Sequence, residues 1–179
     1  RTLAALFQLN DSSDADPYDK VIAGGVSGGL WINNDINNPT PQDWIKVTGV
    51  PGDLAVSVIV QDPDNPNTLF AGTGESYTSG DVVGNGIYRS TDGGSNWTRV
   101  LGSGSITNNT YQTNGTQNVD GYFYVNDLQI WDSTPGVAGG TYYLAALGAA
   151  FATDSNNFGD TNIFGLYYST DGTTWTRAT

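Results

Sequence analysis

The sequence predicts an all-β protein built from three four-stranded antiparallel units. The acidic residues are seventeen aspartates and one glutamate; aspartate, asparagine and glycine favour tight turns, because they hydrogen-bond local backbone or allow positive φ. Short runs of β-branched and aromatic residues alternate with these turns. One strand–turn–strand pattern also recurs along the chain. Serial units of this kind are typical of a β-propeller or a related solenoid, here an incomplete ring of about three blades.

Each unit is predicted to contain four strands. The units span residues 1–48, 54–101 and 122–178. Their first two strands are predicted at 1–9 and 20–25, at 54–61 and 67–75, and at 122–131 and 140–150. The runs LAALF and YYLAALGAAF are locally compatible with helix, but their place in the repeat favours strands.

The last two strands of each unit form the clearest repeat. GNGIYRSTDGGSNWTRV (84–100) matches NIFGLYYSTDGTTWTRA (162–178), and a diverged copy, SGGLWINNDINNPTPQDWIKV (27–47), precedes both. In such a hairpin the aspartate accepts backbone hydrogen bonds, the glycine adopts a conformation that other residues resist, and the tryptophan packs between units. The residues predicted to play these structural roles are Ser90, Asp92, Gly94, Trp97, Ser169, Asp171, Gly172, Trp175, Asp35 and Trp44.

These hairpin residues resemble the Asp-box, also called the BNR repeat, of sialidases, sortilin-type receptors and xyloglucan-cleaving propellers. The resemblance implies that the boxes are fold elements on the face opposite an active site. The strings GGVSGGLW (24–31), VQDPDNPNTLFAGTGE (60–75) and GNGIYRSTDGGSNW (84–97) are similar to secreted propellers of Bacteroidetes, which are often cargo of the type IX secretion route. The resemblance therefore implies a secreted or cell-surface location.

The composition excludes several kinds of chemistry. Without cysteine there are no disulfides or thiolates, and without histidine there is no Ser-His triad or histidine-bound metal. A net charge of -12 with six basic residues disfavours nucleic acid and anionic lipid as partners. No run approaches the roughly 18 apolar residues of a membrane helix. The first residues lack signal-peptide order, and methionine is absent, so we expect a mature product, a fragment or a trimmed chain.

The candidate ligand face is the one that carries the long connections, at 76–85, 102–121 and 151–162. Its aromatic and acidic residues are of the types that bind sugars, namely Glu75, Tyr77, Asp81, Tyr111, Asp120, Asp154, Phe158 and Asp160. The alternative is that they are solvated loop residues, with Glu75 fixing the end of a strand.

Two further sites are weaker predictions. The aspartate-rich stretch 154–160 offers hard oxygen ligands for calcium but lacks the spacing of known calcium loops, and no other cofactor or metal is predicted. Asp132-Ser133-Thr134 resembles the short O-glycosylation motif of Bacteroidetes, with Ser133 as the acceptor.

The function favoured by the sequence is a non-catalytic segment of a secreted or cell-surface bacterial protein, used for adhesion, display or partner binding. One alternative is a carbohydrate-binding module with Tyr77 and Tyr111 as stacking platforms. Another is part of a glycoside hydrolase whose catalytic residues lie outside this segment. A sialidase site is disfavoured because Arg89, Arg99 and Arg177 lie beside the hairpins as strand-surface residues, and no opposed pair of catalytic carboxylates is recognisable.

The predicted partners follow from the number of units. Three blades cannot close a ring, since closed propellers have roughly four to eight blades, and exposed strand edges promote aggregation. We therefore expect the remaining blades of a longer chain, or a capping or secretion partner, to cover the ends. Glycans are further candidate ligands.

Overall fold

The chain forms three four-stranded antiparallel sheets in series. A computed structural model describes residues 2–9, 18–75, 84–102, 122–134, 140–148 and 164–178. No helix occurs within these ranges, and the predicted all-β class with three antiparallel units of an incomplete propeller is confirmed.

Each sheet is an antiparallel meander, in which neighbouring strands in the sheet follow one another along the chain. Sheet 1 comprises β1 (Thr2–Gln8), β2 (Lys20–Gly25), β3 (Leu30–Asn33) and β4 (Ile45–Lys46). Sheet 2 comprises β5 (Val56–Gln61), β6 (Leu69–Thr73), β8 (Ile87–Ser90) and β9 (Thr98–Leu101). Sheet 3 comprises β11 (Val125–Asp132), β12 (Thr141–Leu147), β13 (Gly165–Ser169) and β14 (Thr176–Arg177). The short strands β7 (Gly84–Asn85) and β10 (Tyr122–Phe123) pair in parallel.

The first strand of every sheet has an irregularity at the same place. The register between the first and second strands shifts near the start of β1, β5 and β11. The shifts lie between Thr2 and Ala4, between Val56 and Val58, and between Val125 and Asp127. A bulge bends its strand and increases the local twist. The repeat seen in the sequence is therefore also a repeat of backbone geometry.

Two clusters of buried apolar side chains hold the sheets together. Interface 1–2, between sheets 1 and 2, includes Ile22, Leu30, Ile32, Leu54, Val56 and Trp97. Interface 2–3, between sheets 2 and 3, includes Phe70, Ile87, Phe123, Val125, Leu128, Tyr143 and Tyr167. Burial of this apolar surface is the main favourable contribution to the stacking of the sheets.

The sheets approach most closely at one glycine per interface. A Cβ on Gly24 would lie 2.5 Å from the Cβ of Val56, and a Cβ on Gly72 would lie 2.6 Å from Cγ1 of Val125. Real Cβ atoms do not approach other atoms this closely. Glycine in the second strand therefore sets the spacing to the bulged valine of the following sheet.

A buried polar contact also crosses interface 2–3. The Tyr143 hydroxyl donates to Oδ2 of Asp62 over 2.7 Å, and both residues are buried. Burial raises the pKa of Tyr143, and the hydrogen bond and charge of Asp62 raise it further, so the phenol stays protonated as a donor. The turn between β5 and β6 is thereby tied to the second strand of sheet 3.

We predict that Gly72→Ala destabilises the protein by about 1–3 kcal/mol, because the added methyl overpacks the approach to Val125. Urea unfolding monitored by tryptophan fluorescence measures the change. Ala146 takes the place of Gly72 in the pairing pattern of sheet 3, so Ala146→Val is the matched control and should change stability by less than about 0.5 kcal/mol. Equal losses in the two variants would contradict this account.

We also predict that Tyr143→Phe lowers the free energy of unfolding by about 1–3 kcal/mol, since the buried Asp62 carboxylate loses its donor. The neighbouring Tyr142 is exposed, and Tyr142→Phe should stay within about 0.5 kcal/mol of the unmodified chain. Chemical denaturation of both variants compares them directly. An unchanged free energy of unfolding in Tyr143→Phe would show that the contact does not stabilise the interface.

Candidate functional site

The hairpin of sheet 2 is held by a serine and an aspartate. Ser90 Oγ donates to Oδ1 of Asp92 over 2.8 Å and accepts from the Gly94 amide over 2.9 Å. The same Asp92 oxygen accepts from the amides of Ser95 and Asn96 at 3.1 and 2.9 Å. Backbone donors of the turn are thus satisfied by two side chains of the turn itself.

The hairpin of sheet 3 repeats this network with one residue fewer. Ser169 Oγ donates to Oδ1 of Asp171 over 2.9 Å and accepts from the Gly172 amide over 2.9 Å. The amides of Thr173 and Thr174 donate to that Asp171 oxygen at 2.7 and 2.6 Å. The shorter spacing leaves the hydrogen-bonding scheme intact.

These hydrogen bonds keep both aspartates ionised. Burial raises the pKa of Asp92, but hydrogen bonds from the backbone and side chain of Asn96 and from Ser90 outweigh burial and lower it. Hydrogen bonds from the Thr174 amide and its neighbour hold the pKa of Asp171 well below its usual value. At neutral pH both carboxylates are acceptors for the turn and poor proton donors.

The glycine and tryptophan of the sheet 2 hairpin pack on sheet 1. A Cβ on Gly94, which has a φ of 91°, would lie 2.5 Å from Cδ1 of Ile22. Trp97 is only 4% exposed and belongs to the same apolar cluster as Ile22 and Ile32. Its indole N–H donates to the Gly94 carbonyl over 2.7 Å. The hairpin therefore closes against the preceding sheet.

The sheet 3 hairpin packs on sheet 2 in the same way. A Cβ on Gly172 would lie 2.6 Å from Cζ of Phe70. Trp175 is half-buried and meets the Phe70 ring edge-on, with centroids 6.4 Å apart and planes at 83°. The Arg89 guanidinium lies 5.8 Å from the centre of that ring. Phe70 and Arg89 are partners across β6 and β8.

The hairpin of sheet 1 differs from the other two. Asn33 stands at the place of the serine, and its Oδ1 accepts from the Asp35 amide over 3.0 Å. Asp35 Oδ2 accepts from the Asn38 side chain over 2.6 Å. Trp44 follows Asp35 by nine positions, against five and four in the other hairpins, and no glycine intervenes. Trp44 is 42% exposed, so the expected packing of this tryptophan between units is absent from the described chain.

Trp44 instead lines a cleft together with the glycine-rich turn after β2. The cleft has a volume of about 560 Å³, and its wall is formed by Ala23, Gly24, Gly25, Ser27, Gly28, Trp31 and Trp44. The indole N–H of Trp31 donates to the Gly28 carbonyl over 3.0 Å, which fixes the ring. Trp31 is exposed as well. The site thus offers two indoles, one hydroxyl and exposed backbone, with no charged side chain in its wall.

This cleft was not among the sites predicted from the sequence. The sequence points to it only through a tryptophan that follows two closely spaced glycine pairs, in GGVSGGLW. Glycine at such positions allows a ligand to approach the backbone. The distinctive feature, that both tryptophans remain exposed, depends on packing and cannot be recognised from local composition.

The predicted ligand-face residues are only partly described. Glu75 follows β6 and is buried, with 6% of its surface exposed. The other seven, and the candidate calcium stretch 154–160, lie outside the described residues: Tyr77, Asp81, Tyr111, Asp120, Asp154, Phe158 and Asp160. Ser133 is exposed, and its hydroxyl donates to the Gly140 carbonyl over 2.8 Å.

Neither a metal cluster nor a membrane-spanning helix is found in the described ranges. No three acidic, histidine or cysteine side chains there come together as metal ligands. No helix of the described chain is long and apolar enough to cross a membrane.

Comparison with known proteins identifies similar folds. Neither a protein-family model nor a curated protein matches the sequence. Among solved structures, the chain is similar to an ancestral GH74 enzyme, with a TM-score of 0.56 and 16% identity over 99% of this chain and 20% of that chain. It is also similar to the GH74 xyloglucanase from Xanthomonas campestris, with a TM-score of 0.58 and 16% identity over 98% of this chain and 21% of that chain. The chain thus spans about a fifth of the length of these enzymes, with which it shares its fold.

We predict that Asp171→Asn destabilises the protein in a pH-dependent way. The folded state lowers the pKa of this carboxyl, so its charge contributes stability above the unfolded pKa of about 4, and this contribution is lost as the pH falls further. The difference in unfolding free energy between the unmodified chain and the variant should therefore shrink between about pH 5 and pH 2. Urea unfolding across this range measures it.

The control for this prediction is Asp43→Asn. It removes an exposed carboxylate that takes no part in the hairpin hydrogen bonds described above. It should change the unfolding free energy by less than about 0.5 kcal/mol at either end of the range. A difference for Asp171→Asn that stays constant with pH would refute a role for its charge.

Proposed function

We propose that this chain is a non-catalytic, glycan-binding part of a larger propeller protein of the kind to which GH74 hydrolases belong. Its ligand would be a neutral polysaccharide such as xyloglucan. The observation that carries the proposal is the open cleft between Trp31 and Trp44. Trp31 has the place that Tyr88 and Tyr167 have in sheets 2 and 3, where they are buried against the preceding sheet. The proposal therefore requires that no blade covers this face of sheet 1. The likeness of nearly the whole chain to two GH74 enzymes supports the choice of ligand class.

The chemistry of the cleft suits a sugar chain. The apolar C–H face of a pyranose ring packs on an indole, and tryptophan combines a large apolar surface with a polar N–H group. The exposed Ser27 and the partly exposed backbone of Gly25 and Gly28 can hydrogen-bond sugar hydroxyls. A wall without charged side chains favours a neutral ligand over an acidic one.

Three of the described carboxylates have structural roles, which fits the non-catalytic part of the proposal. Glycoside hydrolysis uses an acid whose pKa is raised and a second carboxylate across the scissile bond. Asp92 and Asp171 have lowered pKa values and accept the amides of their own turns. Asp62 accepts from Tyr143 inside an interface. If the whole protein hydrolyses glycans, the catalytic pair would come from residues other than these three.

A secreted or cell-surface location and membership of the Asp-box group belong to the same proposal. A protein that binds an extracellular polysaccharide would act outside the cell, and the serine–aspartate networks of the two hairpins fit an Asp-box. Adhesion or display on a glycan-rich surface would use the same cleft. Export through the type IX route is the most specific part of the proposal, and labelling of intact producing cells with an antibody against the chain tests exposure at the surface.

Affinity gel electrophoresis with xyloglucan in the gel tests the glycan proposal. We expect the chain to be retarded by xyloglucan, and Trp31→Ala to lose most of this retardation because one of the two stacking surfaces is gone. Trp131→Ala is the control, since Trp131 is another exposed tryptophan, which lies on sheet 3 and outside the cleft. Its retardation should match that of the unmodified chain.

Three outcomes would contradict the proposal. The first is unchanged migration of the chain in xyloglucan and in other neutral glucans. The second is a loss of retardation in Trp131→Ala as large as that in Trp31→Ala. Release of reducing sugar from xyloglucan by the purified chain would overturn the non-catalytic assignment alone.

A further inference from the structure

The open face of sheet 1, which points away from sheet 2, exposes a phenylalanine as well as the two tryptophans of the cleft. Along β1, Ala4 and Leu6 pack into interface 1–2. Side chains of a strand alternate between its two faces, so Ala5 and Phe7 point to the open face. Phe7 is 62% exposed, and Ala5 is exposed as well. The innermost strand of sheet 1 therefore presents an aromatic ring on the side of the cleft.

A row of paired residues leads from Trp31 across the sheet to β1. Trp31 pairs with Ala23 on β2, and Ala23, which also lines the cleft, pairs with Ala5 on β1. Phe7 lies two positions further along β1, where it pairs with Val21. Neighbouring strands are about 4.8 Å apart, so β1 and β3 are about 10 Å apart. Two aromatic side chains thus flank a stretch of the open face whose floor is formed by two alanines.

This floor is lower in sheet 1 than at the same place in the other two sheets. Ala5 has the place in the pairing pattern that Ile59 has in sheet 2 and Leu128 has in sheet 3. Both larger side chains are buried, and they belong to the apolar clusters of interfaces 1–2 and 2–3. Sheet 1 lacks the side chain that fills this place against a preceding sheet. A shallow trough therefore runs from the cleft, between Trp31 and Phe7.

The trough has little charge for so acidic a chain. One row holds Ala5, Ala23, Trp31 and Lys46, and the next holds Phe7, Val21 and Asn33. The ammonium group of Lys46 lies where a Cβ on Gly52 would stand, on the connection to sheet 2. Neither row contains a carboxylate, although the chain has eighteen acidic residues. A surface of this composition fits a neutral ligand better than a charged one.

We propose that the trough extends the glycan site from the cleft to Phe7, so that a neutral polysaccharide chain lies across the strands of sheet 1. Trp44 and Trp31 would contact one part of the chain and Phe7 a part further along it, while Ala5 leaves room between them. The inference rests on the glycan binding proposed above and adds a length requirement. A single sugar ring cannot contact aromatic side chains on strands that are about 10 Å apart, whereas a polymer can.

Isothermal titration calorimetry tests the length requirement, with cello-oligosaccharides from cellobiose to cellohexaose and with xyloglucan. Affinity should rise once the oligosaccharide is long enough to reach Phe7, and this rise should be absent in Phe7→Ala. For xyloglucan, Phe7→Ala should weaken binding roughly three- to tenfold, as expected for the loss of one aromatic contact. Leu166→Ala truncates an apolar side chain on sheet 3 that is also 62% exposed, and it should bind like the unmodified chain.

A second pair of variants tests the trough itself. Ala5→Ile gives sheet 1 the side chain that sheet 2 has at this place. It should weaken xyloglucan binding although all three aromatic side chains remain. Ala5→Ser keeps the side chain small and should leave binding unchanged. Because Ala5 is exposed, both variants should fold like the unmodified chain, which circular dichroism checks.

The outcomes separate the extended site from the cleft. If Trp31→Ala loses xyloglucan binding while Phe7→Ala or Ala5→Ile binds as well as the unmodified chain, the extension to Phe7 is wrong and the cleft remains the site. An affinity that does not rise with the length of the oligosaccharide would lead to the same conclusion. Absence of xyloglucan binding by the unmodified chain would overturn both the cleft and its extension.

Discussion

The structure depends on the contact between each hairpin and the sheet that precedes it. Gly94 brings its backbone against Ile22, and Gly172 does the same against Phe70, at distances that exclude a Cβ. The hairpins can pack this closely because serine and aspartate satisfy the turn amides from within. No backbone donor of that network then needs water at the interface. The burial of Trp97 depends on this contact, which adds to the apolar burial that stacks the sheets.

The carboxylates of Asp92 and Asp171 show how a chain with so many acidic residues is stabilised in the folded state. With a net charge of -12, the protein has far more acid than it can pair with its six basic residues. Asp92 and Asp171 are stabilised by turn amides instead of by cations. Lys20 contributes at interface 1–2 by donating from Nζ to the Gly93 carbonyl over 2.5 Å, and burial lowers its pKa. Local hydrogen bonding therefore carries much of the electrostatic stabilisation of the hairpins.

The two ends of the arc differ in chemistry. At sheet 1 the hairpin is longer and lacks the packing glycine, so Trp44 stands open beside Trp31 over a glycine-rich wall. At sheet 3 the exposed surface repeats the positions that receive a hairpin elsewhere in the chain, with Leu144 and Tyr168 uncovered. Both faces have the place of faces that are buried between sheets elsewhere in the chain, because Trp31 corresponds to Tyr88, and Leu144 corresponds to Phe70.

The sequence by itself determined the strands, their order and the hairpin chemistry, because these depend on local spacing, such as that of Asp92, Gly94 and Trp97. The tertiary structure alone decided which tryptophan is buried. Trp97 and Trp44 have the same place in the repeat, yet only Trp97 has a described sheet to pack against. The cleft at Trp31 could not be predicted for this reason. Burial is a property of the neighbouring sheet, and no local stretch of sequence specifies it.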